Sequence, residues 1–453
     1  VNTCFETDWL GSVPCFYHEK TGKFSTCIHD VIDYRNLEFD PDGLNDYLDL
    51  GYCGYGWTPV RHVRFLPPCS RLMRDKEGGL HEQPLPDPVD EWDGRTSTPD
   101  EAIDRLRATV HAWENSVADD IVLPLSGGYD SRLLAMLLRD KSRVRAFTYG
   151  VSPRQEKSRE VYQARAAAAT MNLRWERIEL GDFHSRIGAW EAQFGVSTHA
   201  HGMYHMEFYD KIRAIVGSGR PMLSGLVGDL WAGSVAYRAA RSVDDLPALG
   251  LSRSLHAQGS PCRLHGDGDH RRTFWTMRRH RLQDPVFQVV EVVRQKMILL
   301  SYLLSVPARS GFQPWSPFLL PDVALAMVTL PVSERRGRLW QQRVFTENGL
   351  NLERSPGGTR ANFLDLGALD RRPPEPLAID PLSELFEVSF LEQVNRRVFS
   401  SGTLAKWWAA ANAHPRVVGA ATRLRLGNPR ASAYAAYLTL KPLQMLIERR
   451  NRA

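Results

Sequence analysis

Hydrophobic and polar positions change period several times along this chain. Up to about residue 73 the apolar runs are short and broken by turn residues. "VPCFYHEKTGKFSTCIHDVI" predicts two short strands joined at Lys20-Thr21-Gly22-Lys23. "PDGLNDYLDLGY" places Leu44, Tyr47 and Leu48 on one face of a short helix, and "TPVRHVRFLPP" returns to extended structure. The Pro-, Gly- and charge-rich "RDKEGGLHEQPLPDPVDEWDGRTS" predicts a linker over 74–97. At "TPDE" a helix starts: Thr98 is the expected N-cap, Pro99 the first helical residue, and Glu101 completes a capping box. This helix is expected to run to about Asn115.

From there apolar runs of strand length alternate with amphipathic stretches. "DDIVLPLS", "RVRAFTYG", "RWERIEL" and "RPMLSG" read as strands; "SRLLAMLLRD", "EKSREVYQARAAAATM" and "GMYHMEFYDKIRAIVG" read as helices. Such alternation predicts an α/β fold with a parallel sheet covered by helices on both faces, whose ligands sit at the carboxyl ends of the strands. After about residue 282 the pattern is mostly helical, in "PVFQVVEVVRQKMILLSYLL", "PDVALAMVTL", "DPLSELFEVSFLEQVNRRVF", "TLAKWWAAANAH" and "SAYAAYLTLKPLQMLIERR". The expected organisation is a β-rich part over 1–73, a linker over 74–97 and an α/β part over 98–453 that becomes mostly helical after about 282.

Composition changes this picture little. The 453 residues are 43% hydrophobic, enough for a large core, and a net charge of +5 decides nothing between nucleotides and nucleic acid. No run reaches the length of a membrane span, and "VNTCFETDWLGSVP" lacks a basic segment followed by an apolar run. A cytoplasmic protein is therefore expected. Six cysteines without a Cys-x-x-Cys pair point to reduced structural thiols.

The candidate chemistry lies in "LPLSGGYDSRLLAM". Ser126-Gly127-Gly128-Tyr129-Asp130-Ser131 joins an expected strand to an expected helix. Glycines let the backbone turn its N–H groups inward and let a ligand approach closely. The helix start adds unsatisfied N–H groups, and Ser126 and Ser131 add hydroxyls, so the fitting guest is a phosphate chain. The pattern is not a Walker A loop, because no lysine follows. Asp130 would repel a bare phosphate and makes sense as a ligand of a bridging Mg²⁺.

This loop resembles the Ser-Gly-Gly-x-Asp-Ser loop of ATP pyrophosphatases. "LSGLVGDLWAGS" (223–234), which carries Ser224, Gly225, Asp229 and Gly233, resembles a segment of asparagine synthetase-like enzymes, the family that includes β-lactam synthetases and lasso-peptide cyclases. It departs in the placement of Gly228 and in Leu230, where the family has Glu. Looser matches are Glu160 and Ala164, "WSPFLLPD" with Leu320 in place of Asp, and "GYGWTPVRHVRFLPPCS" with Cys69 where a glycine is usual. The resemblance implies ATP and Mg²⁺ as cofactors, with Asp229 as the second metal-binding carboxylate beside Asp130. It implies Ser126, Gly127, Gly128, Asp130, Ser131, Ser224 and Gly225 around the nucleotide. It also implies that the short N-terminal part is an inactive remnant of a glutaminase.

The family's late lysine has no clear counterpart. "ERSPGGTRANFLDLG" is the nearest segment, and Arg360 in it, beside Arg354, is the candidate catalytic cation. The expected activity is ligation: adenylation of a small-molecule or peptide carboxylate, then transfer to an amine or ammonia. The alternative is a non-catalytic nucleotide-binding or scaffold partner of another enzyme. No nucleic acid and no membrane is expected as partner; a partner protein or a homodimer stays open. His201 and His205, four apart, could chelate a metal, but no third ligand is evident and a place facing the cleft fits them better. Trp407 and Trp408 are expected to be packing aromatics.

Overall fold

A computed structural model of the chain describes residues 2–249, 256–353, 357–358, 362–399 and 428–453. Eleven strands among these residues form three sheets. Two are small and antiparallel. β1 (Asn2–Glu6), β5 (Ser70–Arg74) and β6 (Leu80–Pro84) form one, in the order β1-β5-β6; β2 (Phe16–His18), β3 (Phe24–Ser25) and β4 (Val63–Phe65) form the other, in the order β3-β2-β4. The turn expected at 20–23 joins β2 to β3, with Gly22 at φ +68° supplying the left-handed residue. Helix α1 (Pro41–Leu50) lies between β3 and β4, capped by Asp40, whose side chain accepts from the Gly43 N–H. β6 falls inside the segment expected to link the two parts, and Val89 and Trp92 beyond it are buried.

Helix α2 (Pro99–Ser116) begins as the sequence predicts: the Thr98 hydroxyl accepts from the Glu101 N–H, and Pro99 is its first residue. The third sheet follows. β7 (Ile121–Pro124), β8 (Val144–Tyr149), β9 (Arg174–Ile178), β10 (Pro221–Leu223) and β11 (Gln313–Trp315) are all parallel, in the order β11-β10-β7-β8-β9. Ile121, Val122 and Leu123 are buried on both faces, as a central parallel strand requires, whereas β9 alternates exposed and sheltered residues at the edge. The connections carry α3 (Tyr129–Leu137), α4 (Arg159–Thr170), α5 (Ile187–Phe194) and α6 (Met203–Val216). α5 and β11 are absent from the sequence-based expectation. β11 contains Pro314, which cannot donate to a ladder, and it accordingly occupies the other edge of the sheet, where Trp315 stacks on Trp113 at 5.0 Å.

The rest of the described chain is helical, through α7 (Asp269–Leu282), α8 (Gln288–Leu300), α9 (Tyr302–Arg309) and α10 (Pro321–Val328) to the C-terminal helix Pro429–Arg450. That last helix packs on the N-terminal part: the Tyr47 hydroxyl donates to the Thr439 carbonyl. One buried cluster runs from Phe16, Leu44 and Tyr47 through Val122 and Phe147 to Leu440 and Ile447. All six cysteines are free thiols. Among the described residues no helix is long and apolar enough to cross a membrane. Trp407, Trp408, Arg354 and Arg360 lie outside the described residues.

Candidate active site

The carboxyl ends of β7, β8 and β10 meet at one cavity of about 480 Å³, lined by Ser126, Gly128, Asp130, Ser131, Ser224, Gly225 and Asp229. Two segments far apart in sequence come together because β7 and β10 are neighbours in the sheet, with Met222 opposite Val122. The loop after β7 turns at Gly127, φ +72°. A Cβ there would lie 2.6 Å from the Gln163 Cβ and 2.9 Å from the Ala164 N, so the loop sits directly on α4 and needs glycine. Gly128 faces open space apart from the Ser126 hydroxyl. Without a ligand the loop satisfies itself. The Ser126 N–H donates to the Ser131 hydroxyl at 3.2 Å, the two hydroxyls are 3.2 Å apart, and the Gly128 N–H donates to the Ser126 hydroxyl. Gly128, the N-cap of α3, has no side chain to cap the helix, so the first turn lacks that partner for its N–H groups.

Behind the loop stands Arg132, fully buried. Its guanidinium donates to the Gly127 carbonyl, to the Leu350 carbonyl and, at 2.9 Å, to Glu353. It fixes Gly127 from inside the protein. Nothing in the sequence pattern singles it out.

The second segment runs from Ser224, whose N–H donates to the Trp315 carbonyl and whose hydroxyl accepts from the Leu226 N–H. Val227 takes φ +60°, a strained conformation for a β-branched residue. Gly228 then passes so close to Asp130 that a Cβ would meet its Cγ at 2.8 Å. Asp229 follows, accepting from the Ser234 hydroxyl at 3.0 Å, and Trp231 pins the segment by donating to the Phe318 carbonyl.

Asp130 is the electrostatic focus. Its Oδ1 is buried and has no hydrogen-bond partner among the described residues. Burial, reinforced by the Asp229 carboxylate, pushes its carboxyl up to about 8, while Arg338 and Gln341 pull the other way. Arg338 lies over the Tyr129 ring, 4.1 Å from its centroid. An orphaned carboxylate oxygen facing a second carboxylate fits a divalent cation. Among the described residues no group of three or more His, Cys, Asp or Glu could hold a metal. The pair would therefore need ligand oxygens, as supplied by a nucleotide's phosphates, to complete the sphere.

The far wall of the cavity comes from Tyr149, Glu160, His205, Phe208, Tyr209, Lys296, Leu300 and Leu303. Among the described residues Glu160 Oε2 has no hydrogen-bond partner, and neither has Nδ1 of the buried His205. Burial, with His201 nearby, lowers the His205 imidazole to about 3, so it is neutral at physiological pH. Lys296, Arg132 and Arg338 were not legible as site residues, since none belongs to a local motif; helix packing alone brings them near the strand ends. His201 does not join His205 in a metal cluster, and its Nδ1 lies 3.6 Å from Asp365.

Residues 117–302 match the asparagine synthase family model. This part of the chain is similar to that family, and the parallel sheet with its loop after β7 agrees with the fold that the match implies. No curated protein matches the chain. The asparagine synthase-like domain spans β7 to α8 and so contains every described residue of both motif segments. The match supports ATP-dependent ligase chemistry in general.

Proposed function

We propose that the protein is an ATP-dependent, AMP-forming ligase that adenylates a carboxylate and passes the acyl group to an amine or ammonia. The observation that carries this reading is the meeting of Asp130, with its unpartnered Oδ1, and Asp229 beside the Ser126–Ser131 loop in one cavity. A carboxylate oxygen attacks the α-phosphorus of ATP, the bond to the bridging oxygen breaks, and pyrophosphate leaves. The amine then attacks the acyl carbon, AMP departs, and one proton is released.

Ser126, Gly127, Gly128 and Ser131 hold the pyrophosphate end, exchanging their internal hydrogen bonds for bonds to phosphate oxygens. Ser224 and Gly225 border the nucleotide from β10. Asp130 and Asp229 would hold Mg²⁺, which when bound offsets the phosphates' negative charge. Cavity walls from three strand ends keep the two reactants side by side and remove much of the entropic barrier. Arg360 stays the proposed catalytic cation of the segment beyond Glu353.

Incubation with ATP, Mg²⁺, pooled carboxylates and hydroxylamine as trap tests the reaction type. Hydroxamate formed with equimolar AMP and pyrophosphate is the expected result. ADP with phosphate, or ATP bound tightly and never cleaved, would contradict it; the latter outcome would favour the scaffold reading.

A further inference from the structure

We infer that the acyl substrate is a monocarboxylic acid with an aromatic or otherwise apolar body bearing a hydrogen-bond donor, its carboxylate met by Lys296 and its donor by His205. This rests on the ligase reading and concerns the far wall of the same cavity. Two helix faces build that wall. His205, Phe208 and Tyr209 recur at i, i+3 and i+4 on α6, and Lys296 and Leu300 at i, i+4 on α8; all five line the cavity. α6 packs on α9, where Tyr302 touches His205 with ring centroids 5.4 Å apart. Tyr149, from the end of β8, closes the wall edge-on to Phe208 at 5.0 Å.

The charges of the lining residues are unevenly spread. Asp130, Asp229 and Glu160 are acidic, and Lys296 is the one cation among the described lining residues. A carboxylate that must reach the α-phosphate past three acids is steered by that cation. Beyond it Tyr149, Phe208, Tyr209, Leu300 and Leu303 offer apolar surface. A second carboxylate on the substrate would be desolvated there with no described cation to meet it, which disfavours its binding. An amino-diacid is therefore a poor fit.

His205 supplies the polar point of recognition. It is buried, ringed by Tyr204 at 4.4 Å, Tyr302 and Tyr149, and its Nδ1 has no hydrogen-bond partner among the described residues. A neutral imidazole in such a cage, protonated on Nε2, accepts at Nδ1 from a hydroxyl or N–H and discriminates against a substrate lacking one, because the buried nitrogen would otherwise stay unpaired.

ATP–pyrophosphate exchange with the full chain, offered 4-hydroxyphenylacetate, phenylacetate, succinate or L-aspartate as probes, tests this. MgATP binding is followed in parallel by equilibrium dialysis. The two aromatic monoacids are expected to support exchange at least tenfold faster than succinate or aspartate, the hydroxylated one best. Lys296→Met is expected to raise the KM for the acid at least tenfold with MgATP affinity unchanged, and Lys296→Arg to recover most of it. His205→Phe is expected to erase the preference for the hydroxyl while phenylacetate still reacts. MgATP binding with exchange only on aspartate or succinate, or on none of the four, overturns the inference and leaves the ligase reading standing. An unchanged KM in a folded Lys296→Met overturns it as well. Loss of MgATP binding in the wild type would sink the ligase reading itself.

Discussion

At the scale of single residues the site is a set of unmet demands. Asp130 presents a buried oxygen with no donor among the described residues, and its close neighbour is a second carboxylate, Asp229. Its folded pKa lies above the ordinary carboxylate value, so the fold binds that proton more tightly than the unfolded chain does. The associated stability is fully present below about pH 4 and is lost as pH rises toward about 8. Asp130→Asn removes the ionisation, so the unliganded variant should melt several degrees above the wild type at pH 8 and near it at pH 4. Thermal unfolding at the two pH values checks this; equal melting at pH 8 would contradict it. Gly127 makes the opposite demand, for absence of a side chain. Gly127→Ala faces both a positive φ and a 2.6 Å contact with Gln163, so MgATP affinity should fall at least tenfold in a titration. The loop's tight turn was legible in "SGGYDS", because close backbone approach leaves a compositional trace. Arg132 left none: a buried arginine on a helix looks like any other arginine until the segment at 350–353 folds over it.

At the scale of elements, β7 and β10 matter most, since their adjacency brings Asp130 and Asp229 together although the two segments are about a hundred residues apart in sequence. The strands of the parallel sheet were legible where apolar runs were long and bounded by turn residues, as in "DDIVLPLS". β11 was not, because three residues containing a proline carry too little pattern, and only its place at the edge makes it tolerable. β6 was hidden in a charged, Pro-rich stretch for a similar reason: its residues are mostly exposed and need not alternate. The contact between the loop after β7 and the segment 350–353 runs through Arg132. Arg132→Met leaves Glu353 and two carbonyls without their donor, so a loss of about 3 kcal/mol is expected from denaturant unfolding. A loss under about 1 kcal/mol would show that the latch adds little.

For the whole molecule, the sequence suggested parts joined by a linker, while burial ties the ends of the chain to one another. The C-terminal helix packs against α1, and Arg449 pairs with Glu191 on α5. Residues 98–453 expressed alone should expose the surface covered by Leu44, Tyr47 and Leu48 and be recovered as aggregate; a monodisperse, cooperatively melting fragment would contradict this. Buried histidines set the acid limit. His184, between the Arg372 carbonyl and the Tyr434 hydroxyl, is lowered to about 4, mainly by burial, and His205 to about 3. Their folded values lie below that of a free imidazole, so the unfolded chain takes the proton first. Stability should be complete above about pH 6.5 and fall as pH drops toward 4, with a shallower fall in His184→Gln.

The central claim is that Asp130 and Asp229 act together on one adenylating centre. The most direct measurement is ATP–pyrophosphate exchange by the purified wild type, Asp130→Asn and Asp229→Asn, with pooled carboxylates and Mg²⁺. The account predicts carboxylate-dependent exchange in the wild type and a loss of at least a hundredfold in each variant, with both variants still folded. Exchange that survives in either folded variant, or that proceeds without any carboxylate, would contradict it.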